Sequence, residues 1–167
     1  VRDVASFLAC CVGIAFALLQ PVAAAQAAER RVALVIGNSN YQQAPALPNP
    51  RNDAEDMAAT LRDVGFEVIH AVDVDKRGMD TALARFNRAA KGASVALFYF
   101  AGHGWRDQAD GAYWLIPHDA RPELVRDTAI SAALFAEMVG GIEANRMVVA
   151  LACCPAANTT TACTRSP

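Results

Sequence analysis

The sequence predicts an α/β fold, a mainly parallel sheet sandwiched by helices. Three observations carry that prediction. Four short runs are apolar at both odd and even positions, as in strands buried on both faces. Stretches of helical period lie between them, so that strand and helix alternate along the chain. Glycine, asparagine and proline clusters punctuate the boundaries.

In order, "RVALVIG", Arg31 to Gly37, is the first such strand, closed by glycine. "NSNYQQAPALPNP" reads as a loop. From Asn52 the pattern becomes helical: Ala54, Met57, Ala58, Leu61 and Val64 share one face, and Gly65 stops it. "FEVIHAV", Phe66 to Val72, is the second strand. Met79 to Ala90 predicts a helix with Leu83 and Phe86 turned inward, and Ser94 to Ala101 a third strand. "GAYWLIPHDA", Gly111 to Ala120, reads as a short strand or hairpin arm ended by Pro117, with Asp119 as a turn former. Ser131 can cap a helix carrying Leu134, Phe135 and Met138, with Gly140-Gly141 beyond its end. "RMVVALA", Arg146 to Ala152, is the fourth buried strand. Trp105 and Trp114 read as packing residues.

The chain has 167 residues, 54% hydrophobic and 19% charged, which fits one domain with a real core and excludes disorder. A formal net charge of -2 gives no electrostatic case for a nucleic-acid partner. Residues 1–28 read as a secretory signal peptide: Arg2, the apolar run Phe7 to Leu19, Pro21, then small-residue cleavage sites after Ala25 or Ala27. An uncleaved membrane anchor is the alternative. On the first reading the mature protein is periplasmic or secreted and free of the membrane. Of five cysteines, Cys10 and Cys11 leave with the leader, so Cys153, Cys154 and Cys163 remain and cannot all pair internally. With no CxxC spacing and with His70, His103 and His118 scattered, a structural zinc site has little support.

Functional groups in such sheets collect beyond the carboxyl ends of the strands. His103 follows the third strand and Cys153 the fourth, so both emerge on one edge of the sheet. A thiol and an imidazole so placed are the minimum set for nucleophilic acyl transfer. Gly102 and Gly104 would let the backbone bend, and the Gly104 N–H would face a developing oxyanion. The plainer alternatives are a loop histidine without a task and a buried cysteine acting as a small hydrophobe. This chemistry needs no metal or other cofactor.

The segments "ALVIGNSNY", "LPNPRNDAEDMAATLRDVGFEV", "ALFYFAGHG", "YWLIPHDA" and "MVVALACC", in that order, resemble the large-subunit portion of the caspase-like peptidases. The likeness is to bacterial caspase-domain and metacaspase-type members, and it covers residues 31–154. It implies the caspase-hemoglobinase fold, a protein or peptide substrate, and a cysteine endopeptidase with His103 and Cys153 as its dyad. In metacaspase-type relatives the acid of "ND" lies in the pocket for a basic P1 residue, and Asp53 matches it. Taken by itself, "NPRNDA" is equally readable as a helix start capped by Asn52 or Asp53.

Two departures stand out. Relatives end the fourth strand with Asp-Ala-Cys-Arg, where this chain has Leu151-Ala152-Cys153-Cys154. Leu151 removes a pocket acid and puts specificity for Arg or Lys in doubt. The vicinal thiols leave the nucleophile open by one residue, with register favouring Cys153. Residues 155–167 form an irregular, threonine-rich tail in place of the family's further strands and helix. Truncation or a reading-frame change near Ala150 would each account for a missing C-terminal part. The sequence then predicts a degenerate or incomplete peptidase, with Val148, Val149 and Leu151 on an exposed edge open to self-association. The other functional class is a non-catalytic pseudo-peptidase acting as a protein-interaction domain.

Overall fold

The computed structural model describes residues 29–155 apart from residue 143. The predicted leader 1–28 and the tail beyond Pro155 lie outside the described residues. The elements run β1 (Arg31–Gly37), α1 (Pro50–Asp63), β2 (Phe66–Val72), α2 (Lys76–Ala90), β3 (Val95–Arg106), β4 (Tyr113–Leu115), a 3-10 turn (Pro122–Leu124), α3 (Val125–Thr128), β5 (Ile130–Ser131), α4 (Ala132–Gly140) and β6 (Met147–Pro155). The sheet order is β2-β1-β3-β4-β5, and β6 pairs with β3. The four apolar strands are mutually parallel, while β4 and β5 add an antiparallel extension.

Apolar residues at both parities of β1 are needed because it has a helix on each face. Val32, Leu34 and Ile36 pack with Phe98, Phe100 and Phe135 against Met79, Leu83 and Phe86 of α2. Ala33 and Val35 pack with Tyr99 and Ala101 against Ala54, Ala58 and Leu61 of α1. Each large side chain so buried stabilises the fold by about 1.5–3 kcal/mol. The α1 face is built from small residues, so that helix lies close to the sheet. Gly37 shows how close: a Cβ there would collide with the Pro50 carbonyl oxygen.

The predicted helix start at "NPRNDA" needs correcting. Helix α1 begins at Pro50 with Asn49 as its N-cap residue, and no side-chain bond caps it from that position. Asn52 and Asp53 fall inside the first turn. The Arg51 amide is satisfied instead by the Ser39 hydroxyl at 3.0 Å, twelve residues upstream. Proline in the first turn costs nothing, since its missing N–H would have had no intrahelical partner. Asp119 does form a turn, and its carboxylate also accepts the Lys76 amide at 2.9 Å, the first N–H of α2. Trp105 and Trp114 pair across β3 and β4 and pack on Ile116, Ala120, Val125 and Ala129.

The third strand extends beyond the predicted end at Ala101. It runs through Gly102-His103-Gly104 to Arg106, so the glycines do not bend the chain. Two partners hold it extended: β4, from Gly104↔Leu115 to Arg106↔Tyr113, and β6, through Gly104↔Pro155. The glycines answer to close approach instead. A Cβ on Gly102 would sit 2.5 Å from the Tyr41 hydroxyl oxygen, and one on Gly104 3.0 Å from the Cys153 Cβ.

Candidate active site

Strands β3 and β6 run parallel from a common start, which carries His103 and Cys153 to the same end of the sheet. The register sets Gly102 opposite Cys153 and His103 opposite Cys154. His103 is buried, with 8% of its surface exposed. Its backbone N–H donates to the Tyr41 hydroxyl at 2.7 Å, and the Tyr41 ring lies 4.6 Å from the imidazole, tilted by 53°. Nε2 lies 2.9 Å from the Pro45 carbonyl oxygen. A carbonyl only accepts, so Nε2 must carry the hydrogen in the neutral ring. That assignment leaves Nδ1 as an acceptor, and Nδ1 is buried without a hydrogen-bond partner.

The Cys153 side chain is half-buried and packs at the edge of the larger core. It occupies the space that Gly104 leaves empty: a Cβ on Gly104 would lie 3.3 Å from the Cys153 Sγ. Burial pushes the thiol up to about 11, so the folded protein holds it protonated at neutral pH. The thiol and the unpaired Nδ1 are not hydrogen-bonded to each other. The Cys153 thiol and the unpaired Nδ1 of His103 therefore lie at the same end of the sheet, on residues one ladder step apart. Cys154 is on β6 at the ladder position opposite His103, and its side chain lies outside the described residues.

Gly104 is therefore a steric necessity, and it sits within the ladder between Leu115 and Pro155. Asp53 is half-buried in the first turn of α1, its amide donating to the Asn49 carbonyl at 2.9 Å. Leu151 is 50% exposed. Among the described residues, no group of three His, Cys, Asp or Glu could hold a metal ion, and no helix is long and apolar enough to cross a membrane.

Sequence reasoning missed the β1–α1 loop that closes over His103. Asn38, wholly buried, donates from Nδ2 to the Ile116 carbonyl at 3.2 Å and accepts the Val74 amide at 3.0 Å. Tyr41 follows, half-buried, and burial raises its phenol well above the ordinary value, with the nearby Cys153 adding to the effect. The signal was present in "VIGNSNY": a tyrosine in a polar loop directly after a buried strand must either pack back or be wasted. Pro45 gave no signal at all, because it acts through its backbone carbonyl.

A parallel sheet with helices on both faces, bearing a histidine and a cysteine at one end, defines the class of molecule. The caspase domain family model matches residues 30–162, and the chain belongs to that family. It is 33% identical over 93 residues to the human mucosa-associated lymphoid tissue lymphoma translocation protein 1, and 32% identical to the mouse homologue. Each match covers 56% of this chain and 11% of the relative. The Drosophila initiator caspase Dronc superposes with a TM-score of 0.58 at 10% identity, covering 73% of this chain and 48% of that one. A solved protein of Geobacter sulfurreducens gives 0.56 at 18% identity, covering 72% and 48%. The chain thus spans about a tenth of the curated relatives and about half of these solved chains.

Proposed function

We propose that the chain is the dyad-bearing portion of an exported cysteine endopeptidase, with Cys153 as nucleophile and His103 as acid–base. The observation that carries this reading is the His103 ring: Pro45 holds Nε2–H, and Nδ1 is left buried and unpaired at the strand end that Cys153 shares. In the proposed reaction the Cys153 S–H gives its proton to His103 Nδ1 as sulfur attacks a peptide carbonyl. The oxyanion forms near the Gly104 N–H. His103 then returns the proton to the leaving amine, and water hydrolyses the thioester with His103 again as base. With a resting thiol near 11, thiolate forms only as attack occurs, so loss of the base should be felt directly. Asp53 is assigned to the pocket for a basic P1 side chain, without help at Leu151.

The test is alkylation of the purified protein by iodoacetamide near neutral pH. Wild type should label at Cys153 faster than His103→Ala by about 10²–10⁴-fold, the usual contribution of a positioned base. Equal slow labelling in both favours the second reading, a pseudo-peptidase that binds proteins. Two observations speak for that alternative: the raised thiol and the exposed apolar residues of β6. Specificity has its own check. Asp53→Ala should lower kcat/KM for Arg or Lys substrates by about 1–3 kcal/mol of transition-state binding, and no change would remove Asp53 from the pocket. Export is tested by N-terminal sequencing from the envelope fraction: a start after Ala25 or Ala27 supports it, and a start at Val1 overturns it.

A further inference from the structure

Asp73 stands one residue beyond β2, in the left-handed region at φ 49, which aspartate tolerates better than most residues. Its carboxylate is only 13% exposed and accepts four hydrogen bonds. Oδ1 takes the amides of Ser39 at 2.7 Å and Asn40 at 2.9 Å. Oδ2 takes the Asn40 side-chain amide at 2.7 Å and the Arg51 guanidinium at 2.5 Å. Ser39 and Asn40 open the β1–α1 loop, and Arg51 lies just past its end. One side chain from just beyond a different strand therefore clasps both ends of the loop.

That loop carries the two groups that touch His103. Tyr41, directly after Asn40, receives the His103 backbone amide, and Pro45 receives Nε2–H. We propose that Asp73 is a positioning residue for His103, acting through the loop it clasps. The proposal rests on the reading of His103 as the base. Asp73 touches neither His103 nor Cys153 by any hydrogen bond described above, so its influence must pass through Tyr41 and Pro45.

Charge makes the clasp. Burial alone would push the Asp73 carboxyl up, but the amides of Asn40 and Ser39, with the Asn40 side chain and Arg51, outweigh it and hold it below the usual carboxylate range. All four of its acceptor positions are in use. Asp73→Asn keeps the shape and tolerates the same backbone angle, yet turns one acceptor into a donor. That donor would face either loop amides or the Arg51 and Asn40 side chains, which are donors themselves.

The experiment is long-range ¹H–¹⁵N NMR of the His103 imidazole, at a pH where the ring is neutral, alongside steady-state kinetics. Wild type should show one tautomer, with hydrogen on Nε2. In Asp73→Asn both nitrogen shifts should move toward those of a freely exchanging imidazole, and kcat should fall by about 10–100-fold with KM little changed. Asp80→Asn, an exposed aspartate paired with Lys76 on α2, should leave both readouts alone. An unchanged tautomer in a folded Asp73→Asn protein overturns the proposal. Should that variant fail to fold, Asn40→Ala removes only one side-chain bond from the clasp. It should move the shifts in the same direction by less, and no movement there overturns the proposal equally. A wild-type protein without peptidase activity would sink the enzymatic reading, while the tautomer measurement would still decide whether Asp73 positions His103.

Discussion

From Val32 to Ile36, β1 exposes none of its surface, whereas Val148, Val149 and Leu151 of β6 are 44%, 46% and 50% exposed. "VALVI" and "VVAL" are nearly interchangeable as sequence. The difference lies in the neighbours. Strand β1 has β2 and β3 on its two edges and a helix on each face, while among the described residues β6 is paired along one edge, with β3. An apolar run states what a strand needs, and only topology states what it receives. The same comparison separates the two halves of the site. His103, on β3, is held by Tyr41 and Pro45, while Cys153 sits on the less covered strand and finds its burial against Gly104.

The comparison breaks most readily in the core. Phe98 is wholly buried, 4.3 Å from Phe135 between ring centroids. Phe98→Ala should cost about 3–5 kcal/mol in urea unfolding, and Ile36→Ala on β1 about 2–5 kcal/mol. Leu151→Ser on β6 should stay within about 0.5 kcal/mol. A Leu151→Ser cost near that of Ile36→Ala would mean that β6 is covered in solution.

Next in size is the steric test at the site. Gly102→Ala places a methyl 2.5 Å from the Tyr41 hydroxyl, which should cost about 1–3 kcal/mol and push Tyr41 off His103. Removing that oxygen with Tyr41→Phe should recover part of the cost, so the two changes together should be less harmful than their sum. Strict additivity would show that Gly102 is required for some other reason.

Most of the sheet was legible because β1, β2, β3 and α2 meet ordinary rules of period and capping. The positions of His103 and Cys153 followed from the parallel topology, which puts successive strand ends at one edge. The length of β3 was not legible, since Gly102 and Gly104 read locally as breakers and only pairing with β4 and β6 keeps them extended. Nor was the Ser39 cap of α1, whose partner is twelve residues away. The loop over His103 was the largest omission. Its anchors are Asp73, from just beyond another strand, and the Pro45 carbonyl, which any residue could supply.

A third measurement sharpens the view of Cys153 as the buried end of β6. Its thiol is raised by burial from 9.0 to about 11, so the unfolded chain releases that proton first. The contribution of this group to stability is then fully present below pH 9 and is lost as pH rises toward 11. Unfolding free energies at pH 8, 9.5 and 11 should fall in wild type by more than in Cys153→Ala, which lacks the group. Parallel curves would mean that the thiol is as solvated in the folded protein as in the unfolded chain.

The smallest effect on stability should be the most informative about β6. Its side chains at Val148 and Val149 point to opposite faces and both are nearly half exposed, so part of each face of β6 meets solvent, and among the described residues only the edge toward β3 is paired. Such an edge can be completed by another strand, and a second copy of this chain can supply one. Val149→Lys should change the unfolding free energy by no more than about 0.5 kcal/mol, because the methyls it replaces already meet solvent. It should nonetheless shift sedimentation or size-exclusion profiles from associated species to monomer, since a charge on an exposed strand blocks edge pairing. Dithiothreitol in a parallel run separates strand pairing from disulfide cross-links at Cys153, Cys154 or Cys163. A wild-type profile that is monomeric at every concentration would show that exposed valines on β6 are tolerated without a partner. Association that persists in Val149→Lys under reductant would place the contact elsewhere on the molecule.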